Sequence, residues 1–155
     1  MAKWIVGDGI DSYITKLGDL EFGAEESIKR AAYEGAAIVT NAIRANISGL
    51  PVGNPKDGKV TAAQKAGLQA GLGISRFRKD GSFINVKVGM DGYNSTVSKK
   101  YPKGQPNAMI ARSLESGSSF APKHPFIGPA VSATKGAAEA AMKTKLDEEI
   151  SKVMS

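Results

Sequence analysis

The chain has 155 residues, close to the usual size of one domain, and we predict a single domain over residues 1–155. It contains no cysteine, which excludes disulfides, thiol nucleophiles and cysteine-ligated metal sites. Lys and Arg outnumber Asp and Glu by 21 to 15, and the formal net charge of +6 permits contact with nucleic acid without requiring it. No apolar run approaches the roughly 18 residues of a membrane-spanning helix, so we expect a protein that is not inserted in a membrane.

A strand and a short helix are the first elements that the sequence predicts. Residues 3–7 form a short apolar, β-prone stretch, and Gly7-Asp8-Gly9 ends it in a turn. The following residues, 11–20, are typical of a short helix. This part of the chain therefore offers one further strand to a sheet formed elsewhere.

A long amphipathic helix is predicted over residues 24–47. Apolar and small residues recur there at intervals of three and four, and they form one stripe: Ile28, Ala31, Gly35, Ile38, Val39, Ala42 and Ile43. The small side chains let a neighbour approach closely, but each buries little area. We therefore expect this helix to depend on a neighbour, in the same chain or in another subunit.

Residues 48–60 are crowded with Gly, Pro, Asn and Asp, which predicts an exposed polar loop with a composition compatible with mobility. Its Gly53 to Lys59 match the first seven positions of the phosphate-binding loop G-x-x-x-x-G-K. The eighth position is Val60 instead of Ser or Thr, a helix precedes the loop, and Pro55 interrupts it. A turn-rich loop without nucleotide is the preferred interpretation.

A short helix and a β-hairpin follow. Thr61 and Gln64 form the capping-box pattern Thr-x-x-Gln that begins a helix. Two strands within residues 73–90 then flank Asp80-Gly81, a pair that favours a tight hairpin. Polar and apolar residues alternate in the second strand but less regularly in the first, which leaves either a shifted register or a bulge open.

Residues 91–106 form a second long polar loop that carries Lys99, Lys100 and Lys103. These cations could contact phosphates, with Tyr101 stacking on a base, or they could simply solvate a loop tip. Asn107 is predicted to cap a short helix that stops at Gly117.

A second long amphipathic helix is predicted from Pro129 to about Met154. Its apolar stripe has the same three- and four-residue spacing: Val131, Thr134, Ala138, Met142, Leu146, Ile150 and Val153. We expect an α+β fold in which the two long amphipathic helices pack on a small antiparallel β-sheet containing residues 73–90, which residues 3–7 could join. The two long polar loops, 48–60 and 91–106, then project from it.

Catalytic chemistry has little support in the sequence. His124 is the only histidine, it lies between two prolines, and no Gly-x-Ser-x-Gly nucleophile elbow accompanies it. One histidine without cysteine does not make a common zinc site. Asp147, Glu148 and Glu149 are consecutive on a predicted helix and must point in different directions. We therefore predict no catalytic residue, no cofactor, no metal and no enzyme.

The run Glu-Ser-Gly-Ser-Ser-Phe-Ala-Pro-Lys-His-Pro-Phe-Ile-Gly-Pro-Ala over residues 115–130 resembles the closing signature of a tailed-phage (siphophage) family of neck and tail-completion proteins, also described as minor tail components or head-tail joining proteins. The family order continues elsewhere, in Gly9, Tyr13 and Leu17, in Ala36 and Asn46, in Val88 to Tyr93 and in Ala111 to Gly117. The resemblance spans nearly the whole chain and includes no catalytic motif.

The resemblance implies a structural virion protein of the head-to-tail interface, as a tail-completion or tail-terminator subunit. Such a protein would form a homo-oligomeric ring, sixfold in preference to twelvefold, that joins the head connector to the tail tube and lets genomic DNA pass. Its expected place is the virion neck, after assembly in the host cytoplasm. The alternative is a basic nucleic-acid-binding module that is not built into a ring.

Two sets of residues are candidates for contacts in that role. Pro125 and Pro129 restrict the backbone around Phe126 and Ile127, so both apolar side chains are aimed at one place. They are candidates for the subunit interface, and an anchor for the last helix inside the chain is the alternative. Lys99, Lys100 and Lys103 are candidates for contact with the channel or with a partner.

Overall fold

The computed structural model describes residues 5–6, 24–80 and 83–154. The described helices are α1 (Ala24–Ser48), α2 (Ala62–Gly71), α3 (Asn107–Ser116) and α4 (Gly128–Met154), with a 3₁₀ helix at Pro55–Asp57. The strands are β1 (Ile5–Val6), β2 (Leu72–Ile74), β3 (Arg78–Asp80), β4 (Phe83–Asn85) and β5 (Val88–Met90). This arrangement confirms the predicted α+β class with two long helices and a small antiparallel sheet. The short helix predicted over residues 11–20 lies outside the described residues.

The predicted hairpin is present and contains a bulge. β2 pairs with β5 from Leu72↔Met90 to Ile74↔Val88, and β3 pairs with β4 from Arg78↔Asn85 to Asp80↔Phe83. Between these ladders residues 75–77 face residues 86–87, so the first strand carries one extra residue. This bulge explains the irregular alternation of the first strand. β1 adds to the outer edge of β4, where Ile5 pairs with Asn85.

A side chain of α1 completes the hydrogen bonding at the bulge. The Tyr33 hydroxyl donates to the Ser75 carbonyl oxygen at 3.0 Å and accepts from the Phe77 amide at 3.0 Å. Ser75 also serves the opposite strand, because its hydroxyl accepts from the Lys87 amide at 2.8 Å. Backbone groups that the extra residue removes from the ladder thus find partners, and α1 is fixed on the sheet.

The core lies where α1 meets the sheet on one side and α4 on the other. α1 and α4 are antiparallel, since Arg30 near the start of α1 contacts Glu149 near the end of α4, while Asn46 contacts Phe126 just before α4. Small residues fill much of the helix contact: Ala31, Ala32, Ala36 and Ala138 are fully buried. Close approach of the two helices follows from these small side chains.

Of the two helix caps predicted for the shorter helices, one is present. The capping box of α2 forms, with the Gln64 amide donating to Thr61 Oγ1 at 3.1 Å and the Thr61 amide donating to Gln64 Oε1 at 3.0 Å. The prediction that Asn107 caps α3 is wrong. Pro106 occupies the cap position, and the Asn107 side chain instead donates to the Asp91 carbonyl oxygen at 2.8 Å.

The loop over residues 48–60 has a defined backbone. Gly53 and Val60 are joined by a 2.8 Å hydrogen bond from the Gly53 amide to the Val60 carbonyl oxygen. Asn54 caps the 3₁₀ helix by accepting from the Lys56 amide, and Gly58 closes it at a φ of 75°. Such a positive φ favours glycine, so this residue sets the shape of the loop.

Candidate functional site: the loop face

Three loops form what we call the loop face: residues 48–60, 91–106 and 117–127. The first and third follow the end of α1 and precede α4, and the second lies against α2. Gly58 of the first loop lies against Pro122 of the third. Gln64 Nε2 at the start of α2 donates to Gln105 Oε1 of the second loop at 3.1 Å. Lys65 Nζ on the same helix donates to the Leu50 carbonyl oxygen at 3.0 Å. The first and third loops thus touch directly, and α2 joins the second loop to them.

The start of α4 is held by one carboxylate. Glu115 Oε1, near the end of α3, accepts from the backbone amides of Phe126, at 2.6 Å, and Ile127, while Glu115 Oε2 accepts from Gly128 at 3.2 Å. The first amides of a helix have no acceptor within the helix, and their positive end favours an anion. Glu115 therefore ties the end of α3 to the beginning of α4.

The predicted interface residues Phe126 and Ile127 lie in the core of their own chain, with 1% and 5% of their surfaces exposed. Asn46 Nδ2 on α1 donates to the Phe126 carbonyl oxygen at 3.0 Å. Of the two alternatives, this placement is that of an anchor inside the chain. Pro125 and Pro129, by contrast, are exposed, so they are the members of the predicted interface set that reach the surface.

The predicted lysines lie at and beside a hairpin tip. Ser98 and Tyr101 exchange two backbone hydrogen bonds of 3.1 Å, which leaves Lys99 and Lys100 exposed between them. Lys103 is exposed as well. Lys100 Nζ lies 5.6 Å from the centroid of the Tyr101 ring. This half-buried ring therefore has a cation over one of its faces.

The base of this hairpin is a buried polar junction that the sequence did not predict. Asn94 and Asn107 are 4% and 2% exposed, and Gly67 of α2 lies so close to both that a methyl group there would be 2.5 Å from Asn94 Cβ. Gly71, one turn later, lies against the Asp91 carbonyl oxygen and Asn107. Two glycines four residues apart on a helix are the sequence signal of such close contact.

The loop face also carries the exposed apolar residues of the described chain. The large hydrophobic side chains that remain exposed are Val52 at 54%, Tyr93 at 67%, Val97 at 66% and Phe120 at 84%. Each belongs to one of the three loops. Phe120 was not singled out by the sequence reasoning, although the Gly-Ser-Ser turn residues before it indicate a protruding segment.

Most of the net positive charge lies in the same loops, because they hold few acidic residues. Its lysines are Lys56, Lys59, Lys99, Lys100, Lys103 and Lys123, and its acidic residues are Asp57 and Asp91. Six cations and two carboxylates give +4, which is most of the net +6 of the whole chain. A basic surface with exposed apolar side chains fits a protein partner that has acidic and apolar groups, or the phosphates of DNA.

The residues considered as catalytic candidates make structural contacts. His124 is exposed, and its backbone amide donates to the Leu114 carbonyl oxygen at 2.7 Å. In the phosphate-loop match, the Lys59 side chain lies back against Gly53, where a methyl group would be 2.5 Å from Lys59 Cδ. Within residues 24–80 and 83–154, no three His, Asp or Glu side chains cluster as metal ligands would.

The opposite end of the helix pair carries an ion cluster. Arg30 Nη1 donates to Glu149 Oε2 at 2.7 Å, and Lys145 and Lys152 lie 3.7 and 3.6 Å from Glu149 Oε1. The hydrogen bond from Arg30, aided by the three positive charges, lowers the pKa of the Glu149 carboxyl, although burial opposes this. Asp147 and Glu148 are exposed while Glu149 is buried, so the three carboxylates point in different directions as predicted.

None of the helices in the described part of the chain combines the length and the apolar character needed to cross a membrane. Comparisons with protein-family models, with curated proteins and with solved structures find no match to this chain.

Proposed function

We propose that this chain is a structural virion protein of the head-to-tail interface of a tailed phage, in the tail-completion or tail-terminator layer. The observation that carries the proposal is the resemblance of residues 115–130 to the closing signature of that family. In the fold, this run of residues connects three helices. Glu115 at its beginning binds the backbone amides near its end, and Phe126 fills the core, so the run joins α3, α1 and α4.

A ring subunit needs surfaces that contact its neighbours, and the loop face supports this role. Its loops have defined backbones, four exposed apolar side chains and most of the net charge of the chain. In the proposed assembly these loops meet the adjacent ring or line the channel through which DNA passes. We expect six copies in a ring, matching the tail, in preference to twelve, between the connector and the tail tube.

The proposal is tested by co-expressing the chain with the connector and tail-tube proteins of the same phage. Native mass spectrometry should find a sixfold or twelvefold assembly that contains the chain, and electron microscopy of virions labelled with an antibody should place it at the neck. A chain that stays monomeric in every mixture and is absent from the virion neck would overturn the proposal.

The alternative, a nucleic-acid-binding module outside any ring, rests on the hairpin tip with Lys99, Lys100 and Lys103. It predicts affinity for duplex DNA in the isolated chain that falls steeply as salt rises, because each phosphate contact releases counterions. Replacing the three lysines by alanine should then abolish most of the binding. A control variant that removes two exposed lysines of α4, Lys135→Ala with Lys143→Ala, should keep most of it. Equal binding by both variants removes the hairpin from consideration.

A further inference from the structure

Several aspartates of the chain are followed directly by glycine, the aspartate dipeptide most prone to a spontaneous rearrangement of the backbone. In this reaction the amide nitrogen of the glycine attacks the side-chain carboxyl carbon of the aspartate. Glycine favours the attack because it has no side chain to shield its nitrogen. The pairs that lie entirely within the described residues are Asp57-Gly58 and Asp91-Gly92, and the structure places their reacting groups differently.

At Asp91-Gly92 the two reacting groups lie together at the surface. The Gly92 amide donates to Oδ1 of the Asp91 carboxylate at 2.8 Å, and both residues are exposed. Gly92 has a φ of 75°, a conformation that favours glycine at this position. The carboxyl group is thus held beside the nitrogen that attacks it, and water can reach both. Such proximity removes much of the entropic cost of closing a ring.

Asp57-Gly58 has the same two residue types in a different arrangement. Gly58 is buried, and its amide donates to the Pro55 carbonyl oxygen at 3.1 Å, where it closes the 3₁₀ helix. This amide must break that hydrogen bond before its nitrogen can turn towards the Asp57 carboxyl group. The same dipeptide is therefore accessible to the reaction in the second loop and protected from it in the first.

We infer that Asp91 is the site at which the folded chain rearranges to isoaspartate. The Gly92 nitrogen forms a bond to Asp91 Cγ, the Cγ–OH bond of the protonated carboxyl group breaks, and the hydroxyl leaves with the amide proton as water. The product is a five-membered succinimide ring. Water then adds to the former main-chain carbonyl of Asp91 and breaks its bond to the Gly92 nitrogen, whereas addition at Cγ restores aspartate. The net change is an isomerisation that consumes no other reactant.

The rearrangement alters the base of the lysine hairpin, residues 91–106. It adds one carbon to the main chain and converts the Asp91 carbonyl into a free carboxylate. The Asn107 side chain donates to the Asp91 carbonyl oxygen at 2.8 Å, and its amide donates to the Gly92 carbonyl oxygen at 3.0 Å. The Asp91 amide also donates to the Gly71 carbonyl oxygen at 2.9 Å. The inserted carbon moves these groups apart, so the hairpin loses its fixed base. This inference does not depend on the proposed function.

Ageing of the full chain tests the inference. Folded protein and protein unfolded in guanidinium chloride are kept side by side at mildly acidic pH and then digested. Isoaspartate in the peptides that contain Asp57 and Asp91 is quantified by methylation with an isoaspartyl methyltransferase, and Asp57 is the matched internal control. In the folded chain isoaspartate should form roughly tenfold faster at Asp91 than at Asp57, because orientation of reacting groups changes rates by at least that factor. In the unfolded chain the two rates should be similar.

The variant Asp91→Glu provides the second measurement. Its longer side chain keeps the charge but must close a six-membered ring, which forms far more slowly, so no rearrangement is expected at this position. Amide hydrogen exchange in residues 92–107, which reports local opening, should become faster as the wild type ages and stay constant in the variant. Circular dichroism checks that both chains are folded.

Two results would overturn the assignment of Asp91 as the reactive site. One is an equal rate at Asp57 and Asp91 in the folded chain, and the other is an Asp91 that reacts only after unfolding. Faster hydrogen exchange in aged Asp91→Glu as well as in the aged wild type would overturn the proposed effect on the hairpin.

Discussion

The two ends of the α1–α4 helix pair are fastened by different chemistry. At the loop face, the start of α4 is held by buried Phe126 and by the Glu115 carboxylate, which accepts hydrogen bonds from three successive backbone amides. At the other end, about 30 Å away along α4, Glu149 is held by Arg30, whose side chain is 57% exposed. Fixed backbone donors hold the carboxylate at the first end, whereas at the second end a buried carboxylate is held by cations, of which Arg30 and Lys152 are largely exposed to solvent.

This difference suggests a division of roles along the molecule. The end with the exposed loops needs a firm base, because any contact made by those loops is only as well positioned as the residues beneath them. At the far end, an ion cluster around Glu149 joins the two helices. Substitutions at the two ends should therefore differ in size and in their dependence on pH and salt.

The largest effect is expected for Phe126→Ala. Removing a fully buried aromatic side chain leaves a cavity, so the free energy of unfolding should fall by about 3–5 kcal/mol. The measurement is urea unfolding followed by circular dichroism. Phe120→Ala is the matched control, since it makes the same chemical change at a site that is 84% exposed, and it should alter stability by no more than about 0.5 kcal/mol. Similar losses in both variants would contradict the assignment of Phe126 to the core.

Glu115→Gln should have the next largest effect. The amide keeps one oxygen acceptor but places a donor where the backbone amides of Phe126 to Gly128 need an acceptor, and it removes the charge that favours the helix start. Hydrogen bonds to a charged group are worth about 1.5–3 kcal/mol, and we expect a loss of this size in the same unfolding experiment. Glu148→Gln, exposed on α4, should change stability by less than about 0.5 kcal/mol. If the two variants behave alike, Glu115 does not hold the start of α4.

Opposite signs are expected for two glycine substitutions. Gly67→Ala places a methyl group against Asn94 and Asn107 under the lysine hairpin, and it should destabilise the chain by about 1 kcal/mol or more despite the better helix propensity of alanine. Gly136→Ala on α4 meets nothing within 4 Å and should stabilise by up to about 1 kcal/mol. Thermal unfolding of the pair distinguishes a packing requirement at Gly67 from a general effect of glycine in helices, which would give both the same sign.

Periodic features of the fold were predictable from sequence. The three- and four-residue spacing of apolar residues places α1 and α4 within one or two residues of their observed bounds. The predicted hairpin also forms, although Asp80 belongs to β3 and Gly81 lies outside the described residues. These signals are local, because each reflects the geometry of one element. The capping box at Thr61 is local too, and it formed as predicted.

Contacts between distant residues left no such signal. The approach of Arg30 to Glu149, and that of Glu115 to the start of α4, depend on how the elements pack, and single positions do not encode it. Asn107 is an example of local and tertiary hydrogen bonds competing for one side chain. This side chain could cap the start of α3 or donate to the Asp91 carbonyl oxygen, and in the folded chain it donates to Asp91. The loop face could be predicted only in part. Its lysines can be read from the sequence, but the exposure of Phe120 to solvent cannot.

The smallest effect, and one that depends on pH, is expected at the ion cluster. Glu149 has a lowered pKa in the folded chain, chiefly through the hydrogen bond from Arg30. Its contribution to stability is therefore complete above the ordinary pKa of 4.5 and is lost as the pH falls through the lowered value.

The melting temperature of the wild type should therefore fall towards acid pH, and Arg30→Ala should make this fall smaller. At neutral pH, Arg30→Ala should lower the free energy of unfolding by less than Glu115→Gln does. Arg44→Ala removes an exposed arginine of the same helix whose side chain donates to Asn41, and it should leave the acid limb unchanged. Added salt should shrink the difference between wild type and Arg30→Ala, because Arg30 is more than half exposed. An acid limb in Arg30→Ala identical to that of the wild type would show that Arg30 does not lower the pKa of Glu149.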